Sequence, residues 1–280
     1  MTLPVVETAR AKVNLALHVL GRRADGYHEI DSAVAFTEAG DVLTVVAEQG
    51  SGLRLSVSGP FAGDVPTGED NLVCKAHALL SQCLTLPAMT VRLEKNLPVA
   101  AGIGGGSADA AAAIRAMLRA AGASLPPDTL NAIALKLGAD VPVCLRQQAC
   151  RMQGIGEILS ALPHLPAPAL VLVNPGVPCE TASVFSVLGL ARGQMHGSGL
   201  PPDTADRWRN DLTEPAIRIQ PVIGEVLGLM RQQEKLTAVR MSGSGSTCFG
   251  LAASLDDAQE AVRALRMLQP GWWVLASRLS

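Results

Sequence analysis

Residues 98–113, PVAAGIGGGSADAAAA, constrain this chain more than any other stretch. Gly102, Gly104, Gly105 and Gly106 fall within five positions, followed by Ser107 and a run of alanines. Glycine reaches backbone conformations that a Cβ forbids, and it lets a ligand approach the main chain closely. Alanine is the strongest helix former, and serine is a favoured helix cap. The stretch therefore reads as a glycine loop feeding a helix that begins at Ser107. A helix start presents unpaired N–H groups and the positive end of the helix dipole, which suits an anion such as phosphate. No Gly-Lys-Ser/Thr follows, so this is not a Walker A loop, and Ser107 stands where a dinucleotide fingerprint has its third glycine. A glycine-rich helix entry with no ligand is the plainer alternative. Against it, glycine costs chain entropy on folding, and four of them need a reason.

The 280 residues suit one large or two modest domains. With 48% hydrophobic and 17% charged residues, the chain can bury a large core, and its net charge of −2 leaves no basic footprint for nucleic acid. No apolar run of roughly eighteen residues is free of charge, so no membrane span is expected. The start, MTLPVVETAR, lacks a basic segment followed by an apolar one, so no secretion signal is expected and the location implied is cytoplasmic. Cys74, Cys83, Cys144, Cys150, Cys179 and Cys248 show no C-x-x-C and no zinc spacing with histidine. They read as reduced thiols in or near the core.

In residues 9–19, Ala11, Val13, Leu15, Leu17 and Val19 alternate with Arg10, Lys12, Asn14, Ala16 and His18. Period two predicts a strand with one buried face. The other face carries Lys12 and Asn14, either as a solvated sheet face or as the cation that the glycine loop lacks. Asp25-Gly26 signals a turn, and Tyr27, the sole tyrosine, and His28 follow it. An aromatic there can stack on a flat ligand and His28 can hydrogen-bond one, or the two are a strand-edge tyrosine and a surface histidine. Strands at 41–47 and 53–58 read as a hairpin closed by Gln49-Gly50-Ser51-Gly52. Residues 71–83 have helical spacing, and a strand around Met89 to Glu94 runs into the glycine loop. The helix from Ser107 should end at Gly122, and another, about 127–137, at Gly138. Asp140 then lies between Gly138 and Pro142, which should forbid the helix from resuming. That constrained connector could present a base or a metal-binding carboxylate, or Asp140 is an ordinary turn residue.

Residues 159–169 are proline-rich and read as the domain crossover, giving domains 1–158 and 159–280. Beyond it, strands are expected at 169–173, 237–241, 248–252 and 273–277, and helices at 181–188, 221–233 and 256–268. A second glycine loop, SGSGST, occupies 242–247, and 189–206 reads as a variable surface loop. Interleaved helices and strands in both halves indicate two α+β domains.

At this point the motifs resemble a known family. PVAAGIGGGSADAA resembles the central signature of the GHMP small-molecule kinases, and MSGSGSTCFGL their C-terminal glycine motif. AKVNLALHVLGRRADGYHEI, DNLV, LGADVPVCL, GIGE and NDL extend the resemblance, in order and over nearly the whole chain. They point to the branch acting on 4-diphosphocytidyl-2-C-methyl-D-erythritol, in the non-mevalonate route to isoprenoid precursors. The resemblance implies an α+β fold: an N-terminal domain like the second domain of ribosomal protein S5, a ferredoxin-like C-terminal domain, and a cleft between them. It implies ATP and Mg2+, with the 2-hydroxyl of the methylerythritol moiety as acceptor. By the same resemblance, Asp140 is the base and Lys12 its electrostatic partner. Asn14, Tyr27 and His28 match substrate positions, with Tyr27 stacked on cytosine and Thr181 and Phe185 lining the same site. Pro98, Gly102, Gly104, Gly105, Gly106, Ser107 and Ala108 would hold ATP, with Asn71 and Lys95 on the nucleotide side. Magnesium would sit largely among phosphate oxygens and water, with Ser107 a contact by analogy.

Val34 stands where many members carry an aromatic, which would leave one cytosine face open. Ala100-Ala101 replace a common Met or Gly, and 189–206 has no counterpart. Two other readings stay open. Another kinase of the family could act on homoserine, mevalonate or a sugar, against which the DGYH segment argues. A non-catalytic nucleotide sensor on this fold is the other, against which Lys12 and Asp140 argue. The expected partner is a small cytidine diphosphate compound, with no nucleic acid or membrane, and the assembly a monomer or weak homodimer.

Overall fold

A computed structural model describes residues 3–162, 164–201 and 207–280. Parts of the 159–169 crossover and of the 189–206 loop thus lie outside the described residues. Two compact units alternate along the chain. The first holds Met1–Ala11, Ala39–Val99 and Gly104–Gln147, and the second Lys12–Glu38, Ala100–Ile103 and Gln148–Ser280.

In the first unit, the second half of β2 (His28–Glu48) pairs antiparallel with β4 (Ala88–Glu94). Strand β4 also pairs, in parallel, with β3 (Leu53–Ser58). The hairpin expected between 41–47 and 53–58 therefore does not form, because β4 lies between its two arms. The link is itself bonded to β4: Ala88 N–H donates to Gly50 O and Met89 N–H to Gly52 O. Alternation in β4 buries Met89, Val91 and Leu93, which suits a central strand.

Helix α1 (Leu72–Ser81) is capped by Asn71, whose Oδ1 accepts Val73 N–H at 2.8 Å. Helix α2 (Gly105–Ala121) begins two residues before the expected Ser107. Gly104 takes the cap position in the left-handed region (φ 65°), leaving Ser107 inside the first turn. Ala108, Ala110 to Ala113 and Ala116 of α2 are buried, and their small side chains let α1 and α4 (Val141–Arg146) pack closely against it. Helix α3 (Pro127–Leu137) stops at Gly138 as expected, yet α4 follows at once. Pro142 does not forbid it: in a first turn the missing N–H has no helical partner to lose.

In the second unit, residues 12–19 of β1 (Val5–Arg22) are buried on both faces, not one. Part of its polar face is bonded internally: Asn14 Nδ2 donates to Ser32 Oγ at 2.8 Å, and His18 Nδ1 lies 3.1 Å from Ser198 O. The described part of the expected surface loop is laced along this strand. Gly193 N–H donates to Arg22 O, Arg22 N–H to Gln194 O, and His196 N–H to Leu20 O. The first half of β2 pairs with β5 (Cys150–Gly154), and β5 with β6 (Ile158–Ala161), a strand the proline-rich reading missed.

A second sheet comprises β7 (Ala169–Asn174), β8 (Thr237–Met241), β9 (Cys248–Ala252) and β10 (Trp273–Arg278), ordered β10-β7-β9-β8 and antiparallel throughout. Helices α5 (Thr181–Leu188), α6 (Thr213–Ile219) and α7 (Val222–Arg231) connect β7 to β8, and α8 (Leu255–Leu268) connects β9 to β10. This is the βαββαβ order of a ferredoxin-like sheet. Cys144, Cys150, Cys179 and Cys248 are buried and Cys74 half-buried, but Cys83, just past α1, is exposed, contrary to the core reading. No helix among the described residues is long and apolar enough to cross a membrane.

Candidate active site

The four loop glycines divide by what the protein itself requires. Gly104 needs its left-handed backbone. Gly102 also has positive φ, and a Cβ there would stand 2.6 Å from the carbonyl oxygens of Gly245 and Ser242. Gly105 and Gly106 are different. Both are helical, and a Cβ at either would meet its nearest neighbour, Lys95 Nζ or Leu72 Cδ1, at 3.6 Å, an ordinary contact. Glycine in a helix costs about 1 kcal/mol relative to alanine. Nothing in the fold asks for glycine at these two positions, on the turn whose N–H groups lack helical partners. They fit an anion drawn against the backbone.

Behind this turn lies a buried cluster. The Lys95 ammonium donates to Asp41 Oδ2 and, at 2.7 Å, to Asp109 Oδ2. Asp41 Oδ1 accepts the N–H groups of Asn96 (2.6 Å) and Leu97 (2.8 Å). One cluster thus ties the strand leading into the loop to the helix leading out. Burial raises the Asp109 carboxyl to about 7, with Lys95 opposing and Asp41 reinforcing the shift. Burial pulls the Lys95 ammonium down, but Asp109 and Asp41 outweigh it and raise its pKa. Lys95, expected on the nucleotide side, spends its charge inside the protein. Asn71 likewise commits its amide: Oδ1 caps α1, and Nδ2 donates to Pro66 O at 2.7 Å.

Asp140, at the cap position of α4, is half-buried and makes no side-chain capping bond. Its connector borders the loop: a Cβ on Gly138 would come 4.0 Å from Ser107 Oγ. The first unit thus brings together Asn71, Lys95, Pro98, Gly104 to Ala108 and Asp140.

Lys12, Asn14, Tyr27, His28, Gly102, Thr181 and Phe185 belong to the second unit. There the SGSGST loop seats residues 101–103. Ser242 Oγ accepts Asn14 N–H and donates to Gly102 O, Thr247 N–H donates to Ala101 O, and Lys12 N–H to Ile103 O. Asn210 Nδ2 holds the loop by donating to Met241 O and Gly243 O. Sequence reading overlooked Asp41, Asp109, Ser242 and Asn210; only the NDL and SGSGST motifs hinted at the last two.

Tyr27 is 62% exposed beside its turn, where Asp25 Oδ1 accepts its N–H. The His28 ring stacks on Phe185 with centroids 4.5 Å apart and 26° between planes. Burial, and then Arg22, lower the His28 pKa, so the ring is neutral near pH 7. His28 Nε2 and Asn14 Oδ1 are buried without a hydrogen-bond partner, which suits polar atoms kept for a ligand. Thr181 Oγ1 bonds Ser244 Oγ at 2.8 Å. Val34 is fully buried and paired with Cys150, so its side chain fills core volume.

Residues 71–148 match the family model "GHMP kinases N terminal domain", and residues 202–268 match "GHMP kinases C terminal". The 4-diphosphocytidyl-2-C-methyl-D-erythritol kinase of Bradyrhizobium diazoefficiens is 46% identical over 294 residues, covering 99% of this chain and 98% of the relative. The chain belongs to the GHMP kinases. As a GHMP kinase it is an ATP-dependent phosphotransferase with that family's two-domain fold. A crystal structure of 4-(cytidine 5'-diphospho)-2C-methyl-D-erythritol kinase superposes with TM-score 0.84 at 35% identity, covering 98% of this chain and 99% of that one. Homoserine kinase from Cytophaga hutchinsonii superposes with TM-score 0.69 at 16% identity over 98% and 94%, which shows a shared fold alone. Among the described residues of this GHMP kinase, no group of three His, Cys, Asp or Glu side chains could hold a metal ion.

The division of the glycines makes an expected result. Gly105→Val should leave the melting temperature near wild type, since Val is no worse than Gly in a helix. ATP binding should weaken by roughly tenfold or more, the cost of one or two lost anion–backbone hydrogen bonds. Gly102→Ala should instead lower stability, through its clash with Ser242 and Gly245. Calorimetry with ATP titration checks both. A folded Gly105→Val protein with unchanged ATP affinity would place the phosphates elsewhere.

Proposed function

We propose that this kinase transfers the γ-phosphoryl group of ATP to the 2-hydroxyl of 4-diphosphocytidyl-2-C-methyl-D-erythritol, in the non-mevalonate route to isoprenoid precursors. The observation that carries the reading is full-length identity of 46% to a relative bearing that substrate's name. The exposed Tyr27 beside the His28–Phe185 stack supports it, as a face for a nucleobase. We read 1–158 and 159–280 as the two family domains, working in the cytoplasm.

Phosphoryl transfer asks mainly for positioning and charge neutralisation. The backbone N–H groups at Gly105, Gly106 and Ser107 hold phosphate oxygens. Asp140 takes the proton from the acceptor hydroxyl as its oxygen bonds to phosphorus. Lys12 offsets the negative charge that develops on the transferred group. Bound Mg2+ would neutralise phosphate charge, held by phosphate oxygens and water with the Ser107 hydroxyl as one protein contact. Tyr27 stacks on cytosine, while His28 Nε2 and Asn14 Oδ1 supply hydrogen bonds to the acceptor.

ADP release with the proposed acceptor tests this, with homoserine and mevalonate as controls; turnover on a control alone would reassign the enzyme. Base stacking is worth about 1–3 kcal/mol. Tyr27→Ala should therefore raise the acceptor KM roughly 5- to 150-fold and barely move the ATP KM. Tyr27→Phe keeps the ring and should be mild. If Tyr27→Ala raised both KM values equally, Tyr27 would be a structural residue.

A further inference from the structure

A guanidinium that the fold does not use lies against the turn that carries Tyr27 and His28. Gly26, in that turn, has φ 99°. A Cβ built on it would lie 3.4 Å from Arg192 Nη2 and 3.6 Å from both Arg192 Cζ and Nε. Three guanidinium atoms at nearly one distance mean that the planar group lies face-on over Gly26. The backbone around Arg192 is pinned there. Gly193 N–H donates to Arg22 O at 2.7 Å, Arg22 N–H to Gln194 O at 2.8 Å, and Arg22 Nη1 to Leu190 O at 3.0 Å.

Its neighbours are satisfied. Arg22 Nε donates to Gly26 O at 3.2 Å, and Arg23 pairs with Asp25 at 3.3 Å. The guanidinium of Arg192, exposed to solvent, has no carboxylate or carbonyl partner among the described residues. Three guanidiniums thus surround one turn that holds a single aspartate. A guanidinium lying flat keeps its N–H edge free, and that edge matches phosphate oxygens.

We propose that Arg192 is a specificity-determining residue of the acceptor site, binding the diphosphate of a cytidine diphosphate acceptor whose base lies on Tyr27. The inference rests on the acceptor reading above and deepens it. A base-stacking ring on one turn and an unpaired guanidinium laid against the same turn select a nucleoside diphosphate over an uncharged alcohol. Segment 190–197, laced to β1, exists in part to carry that guanidinium to the turn.

The test uses the full-length enzyme at saturating ATP, with CDP and cytidine as inhibitors competing against the acceptor. Arg192→Gln should raise the Ki of CDP roughly 5- to 30-fold, the range for lost charge-assisted hydrogen bonds at an exposed site. The Ki of cytidine should stay within about twofold, since one rim contact to phosphate leaves base stacking intact. Arg192→Lys should restore part of the CDP affinity, because it keeps the charge without the planar fork. Tyr27→Ala should weaken both inhibitors. The proposal is overturned if Arg192→Gln leaves CDP unchanged or weakens CDP and cytidine equally. If wild-type enzyme neither turns over the proposed acceptor nor is inhibited by cytidine, the acceptor reading itself fails and the Arg192 assignment goes with it.

Discussion

An Asp140→Asn enzyme is expected to fold, bind ATP, and turn over roughly 10²–10⁴-fold more slowly, the range for loss of a general base. Asparagine has the same shape, and Asp140 makes no side-chain capping bond for the change to remove, so α4 should still start at Val141. Val141 N–H would still reach Gly138 O, and Cys144 N–H the carbonyl of residue 140, because both are backbone bonds. What the amide cannot do is take a proton from the acceptor hydroxyl. The deficit should fall on kcat, with ATP affinity, read by titration, close to wild type. A folded Asp140→Asn protein with near-wild-type kcat would remove Asp140 from the mechanism.

Lys95→Met is expected to be the most destabilising single change near the loop. It leaves Asp41 and Asp109 facing each other in a buried site with no cation. Breaking a buried pair by removing one partner costs about 3–5 kcal/mol, which lowers the melting temperature by roughly 6–20 °C for a chain of this size. Asp109→Asn should act in the opposite sense above neutrality. The folded-state pKa of Asp109 is raised to about 7 from 3.8. Its favourable contribution is therefore complete below the unfolded value and is lost as pH rises through the folded one. Wild-type stability should fall between about pH 4 and 7 on this account, and Asp109→Asn should flatten that slope and melt higher than wild type at pH 8. Thermal melts across pH read both variants. A Lys95→Met protein that melts like wild type would mean that the cluster is open to water.

The cluster also shows where reading the chain stops. Lys95 is one residue in an alternating strand, and Asp41 lies 54 positions before it. No local pattern links them, because the contact exists only once β2 and β4 pair. The same reason defeated the expected hairpin. A Gly-rich link between two strands marks a reversal, but whether its arms pair depends on a third strand that is far away in sequence. Likewise the alternation in β1 correctly assigned which residues share a face, but not that Lys12, Asn14 and His18 would be enclosed. Their cover comes from β2 and from segments near residues 198 and 209.

By itself the sequence determined what short-range sterics and hydrogen bonding control. It set the ends of α2 and α3 at glycines, the strands of the C-terminal sheet, the loop–helix unit and the exposed Tyr27 turn. It also carried the motifs that place the chain among the GHMP kinases. Only tertiary structure decided which loop glycines the fold needs, since Gly102 is forced by carbonyls 140 or more residues away while Gly105 has room for a side chain. Only tertiary structure decided, too, that Lys95 is consumed by buried carboxylates while Arg192 is left unpaired beside Tyr27. The availability of a charge depends on which groups long-range packing brings within hydrogen-bond reach, and a hydrogen bond has a reach of about 3 Å.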